Sequence, residues 1–164
     1  MSLQLDAKLA RVVLDGESLT RLSPILEADR AQAVTDLATN SRFAPVAANA
    51  EGVQPGPYEL RLSIWEGRLV FDVRQTDGTR VMLLGLALGP FRGLIKDYQL
   101  LVDSHIKAVE EGREARIQAI DMGRRGLHDD GAALLRKRLD GKIAIDFETA
   151  RRLFTLLCVL HIRV

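Results

Sequence analysis

A short cationic segment, residues 123–128, contains the side chains of this sequence that are best suited to binding chemistry. Arg124 and Arg125 lie between two glycines, and His128 follows two positions after the second glycine. Guanidinium groups bind phosphate and carboxylate oxygens through paired hydrogen bonds. A helix that begins just after this segment would direct its free amide groups and its dipole at the same anion. The segment is therefore the best candidate in this sequence for a turn that binds a small anionic ligand.

Three other interpretations of the same turn stay open. Asp129 and Asp130 could cap the following helix, in which case the turn is only structural. An enzyme acting on a phosphorylated small molecule would use the two arginines to hold charge and His128 as acid or base. His128 and neighbouring aspartates could ligate a divalent metal, although their spacing matches no familiar class of metal site.

The motifs of well-known catalytic sites are missing from the sequence. It has no phosphate loop, dinucleotide fingerprint, zinc-binding helix or nucleophile elbow. We therefore prefer a non-catalytic binding or regulatory module, and we expect no cofactor and no metal ion. The turn at residues 123–128 is its candidate site for a small anionic ligand or a protein partner.

The remaining reactive side chains have simpler explanations. Cys158 and His161 are three residues apart, the spacing of half a metal site or a nucleophile pair, but a cysteine in an apolar helix usually packs as a small hydrophobe. His105 stands on the apolar stripe of a predicted helix, so we expect a core-edge histidine that is hydrogen-bonded to a neighbour. The basic runs 136–138 and 151–152 are expected to be solvated helix faces.

The first 57 residues predict a strand, a helix and a loop. The apolar run at residues 10–14 is typical of a short strand. Ser23 followed by Pro24 favours a helix start with a serine cap, and apolar spacing extends that helix to Thr39. Residues 40–57 contain three prolines and no clear period, which indicates a mobile loop.

The next three apolar segments predict a β-meander. Residues 60–64 and 69–73 alternate between apolar and polar types around Glu66 and Gly67, which is typical of a hairpin. Residues 81–88 form an almost continuous apolar run after a second turn. Such runs occur in strands that are buried on both faces, so we expect this last strand to be central or covered by helices.

The carboxyl-terminal half predicts helices. Pro90 begins an amphipathic helix, and a short helical piece over residues 113–122 ends at the glycine turn. Another helix, capped by Asp129 or Asp130, then ends before Gly141, and residues 143–145 are expected to form a brief extended segment. Asp146 is expected to cap a final helix that is almost wholly apolar and therefore lies in the core.

Strands early and helices late are typical of an α+β fold. We expect a three-strand antiparallel meander, with one or two further short strands, packed against four to five helices. The length of 164 residues favours one domain over residues 1–164. The open edges of a small sheet also favour a homo-oligomer.

The amino-acid composition restricts the cellular compartment and the kinds of binding partner that we expect. The net charge is +1 and aromatic residues make up 5% of the chain, so nucleic-acid binding is not expected. No apolar stretch is long enough for a membrane span, and the first residues lack the apolar core of a signal peptide. Cys158 is the only cysteine, which excludes an intramolecular disulfide and fits the cytoplasm.

Four stretches resemble a family of uncharacterised alphaproteobacterial proteins: residues 68–74, 90–98, 120–128 and 146–161. The resemblance covers most of the chain from Phe43 onward. The most recognisable sequence motifs of the family are GRRGLH at residues 123–128 and TARRLF at residues 149–154. The resemblance implies a bacterial cytoplasmic protein of unknown function, and it implies no catalytic residue.

Overall fold

A computed structural model describes residues 7–15, 23–46 and 56–163 of the chain. Over these ranges the protein has the predicted α+β architecture. The strands are β1 (Leu9–Leu14), β2 (Phe43–Pro45), β3 (Tyr58–Trp65), β4 (Arg68–Gln75), β5 (Arg80–Ala87) and β6 (Ile143–Ile145). The helices are α1 (Pro24–Thr39), α2 (Arg92–Glu110), α3 (Glu114–Leu139) and α4 (Phe147–Arg163), with a 3₁₀ turn at Gly89–Phe91 before α2.

The main sheet has the strand order β1-β3-β4-β5. β3, β4 and β5 form the predicted antiparallel meander, and β1 adds to it by pairing in parallel with β3. Leu62 of β3 lies opposite Phe71 of β4, and both side chains are fully buried. Alternate residues of β3 and β4 therefore supply the apolar floor on which the helices pack.

The predicted position of β5 is wrong. β5 is an edge strand, and the side chain of Leu83 at its middle is 57% exposed. Among the described residues, only one side of β5 has a partner strand, because β1 joins the opposite edge of the sheet, beside β3. The apolar composition of residues 81–88 thus predicted that a strand forms there, but it did not predict which strands lie beside β5.

A second sheet of two short strands lies outside the meander. β2 pairs antiparallel with β6, and Phe43 lies opposite Ile145. The extended segment predicted at residues 143–145 is confirmed. The loop predicted at residues 40–57 is wrong at β2, because long-range pairing with β6 makes that part of the loop a strand; residues 47–55 lie outside the described ranges.

α3 contradicts the most consequential prediction. Residues 114–139 form one continuous helix, so no turn exists at residues 123–128 and no new helix starts at Asp129 or Asp130. Each interior glycine costs a helix about 1 kcal/mol relative to alanine. Packing of α3 against α2 and α4 outweighs that cost. At Gly131 the packing needs glycine, since a Cβ there would lie 2.5 Å from the ring of Phe154 in α4.

α4 is the central helix of the core, as predicted. Leu153, Phe154 and Leu157 are fully buried. The Asp146 carboxylate accepts a hydrogen bond from the Thr149 backbone N–H at 2.9 Å, which confirms the predicted cap. At the start of α1 the helix boundary is confirmed, but Ser23 makes no side-chain hydrogen bond to the helix.

No helix within the described ranges combines the length and the apolar character that a bilayer crossing needs.

Candidate functional site

An open polar cleft of about 310 Å³ lies where α1, α3 and α4 meet. On α1 and α4 the polar lining residues repeat at helical spacing, so each of these two helices turns one polar edge toward the same space. α1 contributes Asp29, Gln32 and Asp36, α3 contributes His128, and α4 contributes Glu148, Arg151, Arg152 and Thr155. The cleft therefore collects both signs of charge from segments that are far apart in the chain.

The inner wall of the cleft is a hydrogen-bonded cluster around Asp29. The Tyr98 hydroxyl of α2 donates to the Asp29 carboxylate at 2.6 Å, and the Arg124 guanidinium of α3 pairs with the same carboxylate. The Arg124 side chain is only 15% exposed. Burial, reinforced by the Asp29 charge, raises the pKa of Tyr98, so the phenol stays protonated and remains a donor. The cluster ties three helices together.

His128 lies next to this cluster with one ring nitrogen engaged. Its Nδ1 is 2.8 Å from the backbone carbonyl oxygen of Arg124. A carbonyl can only accept, so Nδ1 carries the proton. The ring also makes edge-to-face contacts with Tyr98 and Phe154, at centroid distances of 5.6 and 6.0 Å. The orientation of the imidazole is thus fixed from three sides.

The protonation state of His128 follows from its surroundings. Burial lowers the pKa of His128 and outweighs the opposing effect of the Arg124 carbonyl. The imidazole is therefore neutral at pH 7, and Nε2 carries a lone pair. Within the described part of the chain no donor reaches Nε2, so this nitrogen can accept a hydrogen bond from a molecule in the cleft.

The two arginines of α4 differ in how firmly they are held. Arg152 Nε donates to the Asp36 carboxylate at 3.1 Å, and Arg152 Nη1 lies 3.3 Å from the Glu148 carboxylate. The hydrogen bond from Arg152 lowers the pKa of Asp36, against the opposing effect of burial. Arg151 lies farther from its carboxylates, 3.5 Å from Asp129 and 3.7 Å from Glu148. Arg151 is therefore the cation of the cleft with the weaker internal partners.

The three residues singled out from the sequence do not converge. His128 lines the cleft, whereas Arg124 is engaged by Asp29 behind it. Arg125 is exposed and does not line the cleft. The enzyme hypothesis needed both arginines to hold one substrate against His128, and this arrangement does not form. The helix-start argument for an anion site is also wrong, since all three residues lie inside α3.

The other candidate side chains are placed separately from the cleft. Cys158 is fully buried, and burial raises the pKa of its thiol, so it packs as an apolar side chain. His105 Nε2 lies 3.7 Å from the Asp121 carboxylate at the edge of the core. Across residues 7–15, 23–46 and 56–163, no group of three or more His, Cys, Asp or Glu side chains could hold a metal ion.

Sequence reasoning missed the acidic half of the cleft. Asp29 and Asp36 lie seven residues apart on α1, and Glu148 and Thr155 repeat that spacing on α4. Polar stripes at helical spacing on two helices signal faces that could pair. That signal was available, but it does not state which two helices meet.

Comparison with known proteins extends over nearly the whole chain. A family model described as "Uncharacterised protein family (UPF0262)" matches residues 6–163. A UPF0262 protein of Granulibacter bethesdensis is 64% identical over 160 residues, covering 96% of this chain and 91% of that protein. A UPF0262 protein of Acidiphilium cryptum is 56% identical over 161 residues, covering 98% and 96%. One from Bradyrhizobium diazoefficiens is 47% identical over 154 residues, covering 94% and 91%.

These findings confirm the resemblance inferred from the sequence. No solved structure gives a significant match. The names of the family and of these relatives state no activity, so they assign no reaction and no ligand. The chain belongs to the uncharacterised protein family UPF0262.

Proposed function

We propose that this protein is a non-catalytic binding module whose cleft between α1, α3 and α4 holds a small anionic ligand. One observation carries the proposal: Arg151 and His128 line the same cleft, the carboxylates of Arg151 lie at 3.5 and 3.7 Å, and the His128 hydrogen bond uses Nδ1 and leaves Nε2 available. A bound anion would offer Arg151 a shorter contact than its present carboxylates at 3.5 and 3.7 Å.

The neutral histidine defines the ligand further. An unprotonated Nε2 accepts a hydrogen bond and does not attract negative charge, so the ligand needs a donor beside its anionic group. Phosphate monoesters of hydroxylated compounds and hydroxy-carboxylates have this combination. The volume of about 310 Å³ lies at the small end of ligand pockets, which favours a metabolite over a nucleotide cofactor.

The acidic residues of the cleft do not oppose this ligand strongly. The Asp29 charge is balanced by Arg124, and the Asp36 charge by Arg152 at 3.1 Å. Glu148 is 60% exposed, so its carboxylate can turn into solvent when an anion displaces it from Arg151. Arg151 is therefore the cation that an incoming anion would contact, after it displaces the exposed carboxylates of Asp129 and Glu148.

Ligand-dependent thermal stability tests the proposal. A ligand that binds the folded state raises the melting temperature, by an amount set by the ratio of its concentration to Kd. In a panel of phosphate monoesters and hydroxy-carboxylates we expect at least one compound to produce a dose-dependent rise. Arg151→Ala should abolish the rise, because it removes the cation that contacts the anion.

Arg125→Ala is the matched control. Arg125 is an exposed arginine outside the cleft, so its removal should leave both the ligand response and the unliganded melting temperature nearly unchanged. A panel without any response, or an equal loss of response in both variants, would sink the proposal.

We further propose that the protein acts in the cytoplasm. Its single cysteine leaves no intrachain disulfide to require an oxidising compartment, and its relatives are bacterial. Cell fractionation with cytoplasmic and periplasmic marker proteins checks this placement, and recovery with the periplasmic markers would contradict it.

A further inference from the structure

A second groove, separate from the cleft, is lined by positive charge without any acidic side chain among the described residues. Its volume is about 310 Å³. Its cations come from three segments: the start of β4, the last turn of α3, and the link between α3 and β6. The complete lining consists of Arg68, Gly85, Leu86, Ala87, Pro90, Arg138 and Lys142.

The three cations of this basic groove are exposed and have no internal carboxylate partner. No ion pair among the described residues includes Arg68, Arg138 or Lys142. Asp140 lies between Arg138 and Lys142 in sequence, but it lines a neighbouring groove. In the cleft, by contrast, both arginines of α4 have carboxylates within 3.7 Å. The basic groove therefore has uncompensated positive charge, which attracts an anion.

The backbone of β5 supplies further hydrogen-bond donors beside these cations. The Leu88 N–H donates to the Gly67 carbonyl oxygen at 3.0 Å, and the direction of the N–H groups alternates along a strand. The N–H groups of Gly85 and Ala87 therefore point away from β4, to the side where no described strand lies. Gly85 also leaves room for the stem of Arg68, because a Cβ there would lie 3.3 Å from Arg68 Cδ.

We propose that the basic groove binds a diphosphate group, two phosphates joined through one oxygen. Arginine side chains bind phosphate oxygens in pairs, and lysine adds a point charge. A single phosphate carries at most about two negative charges near pH 7, fewer than the three cations of the groove. A diphosphate carries more charge and spreads its oxygens over a greater length, so it can contact cations that come from separate segments.

The lining also indicates which part of a ligand is recognised. No aromatic side chain of the described residues lines the basic groove, so a nucleotide base has no ring on which to stack. Recognition therefore depends on the phosphates. This site shares no residue with the cleft, and it does not depend on the ligand proposed there.

Isothermal titration calorimetry of the full chain with sodium pyrophosphate tests the proposal. Arg68→Gln and Arg138→Gln should each raise the Kd at least about tenfold, which corresponds to about 1.4 kcal/mol. Both side chains are exposed, so the unliganded melting temperature should stay nearly unchanged. Arg125→Gln is the matched control, because Arg125 is an exposed arginine of α3 outside the groove. It should leave the Kd unchanged.

Three further titrations define the ligand and the place where it binds. Inorganic phosphate should bind at least about tenfold more weakly than pyrophosphate, because it reaches fewer of the cations. ADP should match pyrophosphate within about threefold, since its base finds no stacking partner. Arg151→Ala, a variant of the cleft, should not change pyrophosphate binding.

Four results would overturn the proposal. The first is no binding up to about 1 mM pyrophosphate. The second is an equal loss of affinity in Arg125→Gln and the two groove variants. The third is loss of binding in Arg151→Ala, which would assign pyrophosphate to the cleft. The fourth is inorganic phosphate as tight as pyrophosphate, or ADP at least about tenfold tighter, since either removes the diphosphate as the recognised group.

Discussion

The cleft and the β5 edge differ in whether the chain supplies partners for groups that are unfavourable when left alone. Charged side chains in the cleft are costly to bury, and the chain itself supplies their partners: Arg124 for Asp29 and Arg152 for Asp36. At β5, Leu83 is 57% exposed, and no strand within the described residues pairs with the free edge. The difference shows that the chain pairs the aspartates of the cleft with its own arginines, whereas within the described residues it leaves β5 as an edge strand.

The largest expected effect is in the cleft framework. Asp29→Ala leaves the largely buried guanidinium of Arg124 without its main carboxylate and also removes the acceptor of Tyr98. Loss of one partner of such a pair costs about 3 kcal/mol or somewhat more. Urea denaturation should show this as a lower midpoint with an unchanged slope.

Asp130→Ala serves as the control for that experiment. Asp130 is exposed on α3, so its replacement should change the free energy of unfolding by less than about 0.5 kcal/mol. If the two alanine variants unfold at the same denaturant concentration, the Asp29 cluster is not the structural framework described above.

A smaller effect, of opposite sign at two positions, is expected from the glycines of α3. Gly131→Ala should destabilise the protein by about 1 to 3 kcal/mol, because its Cβ would lie 2.5 Å from the Phe154 ring. Gly126 has no neighbouring atom within 4 Å of the corresponding position. Gly126→Ala should therefore stabilise the helix by about 0.5 to 1 kcal/mol.

Thermal melts of the two alanine variants provide the measurement. Gly131 lies one helical turn after His128, so its close contact with Phe154 sets the distance between α3 and α4 at the cleft. Stabilisation by both substitutions would mean that the two helices are not packed as closely as the structure has them.

Local patterns predicted local structure well. Alternation gave the hairpin of β3 and β4, Pro24 marked the start of α1, and Asp146 marked the cap of α4. Each of these features depends on residues that are close in sequence, so the local sequence contains the interactions that cause it.

What depends on distant contacts was not predicted. The continuity of α3 through Gly123 and Gly126 comes from packing that outweighs intrinsic helix propensity. The edge position of β5 comes from where β1 pairs. The cleft itself depends on Asp29 meeting Arg124, which is 95 positions away in the chain. A charge pattern on one helix does not specify its partner on another.

The ligand chemistry proposed for the cleft depends most directly on the protonation state of His128. Burial lowers the pKa of His128 below its ordinary value of 6.5. At pH values between 6.5 and that lowered pKa, His128 is protonated in the unfolded chain but stays neutral in the folded chain. The contribution of His128 to stability is therefore constant above pH 6.5, falls as the pH decreases through this window, and levels off below the folded pKa.

A long-range ¹H–¹⁵N spectrum of the histidine rings, followed through a pH titration, measures this state. The chain has three histidines, and His128→Gln identifies the signal of interest. We predict a neutral ring at pH 7 with the proton on Nδ1, a titration midpoint below 6.5, and a shift of the Nε2 resonance when a binding phosphate monoester is added. A charged imidazolium at pH 7, or a proton on Nε2, would contradict the account.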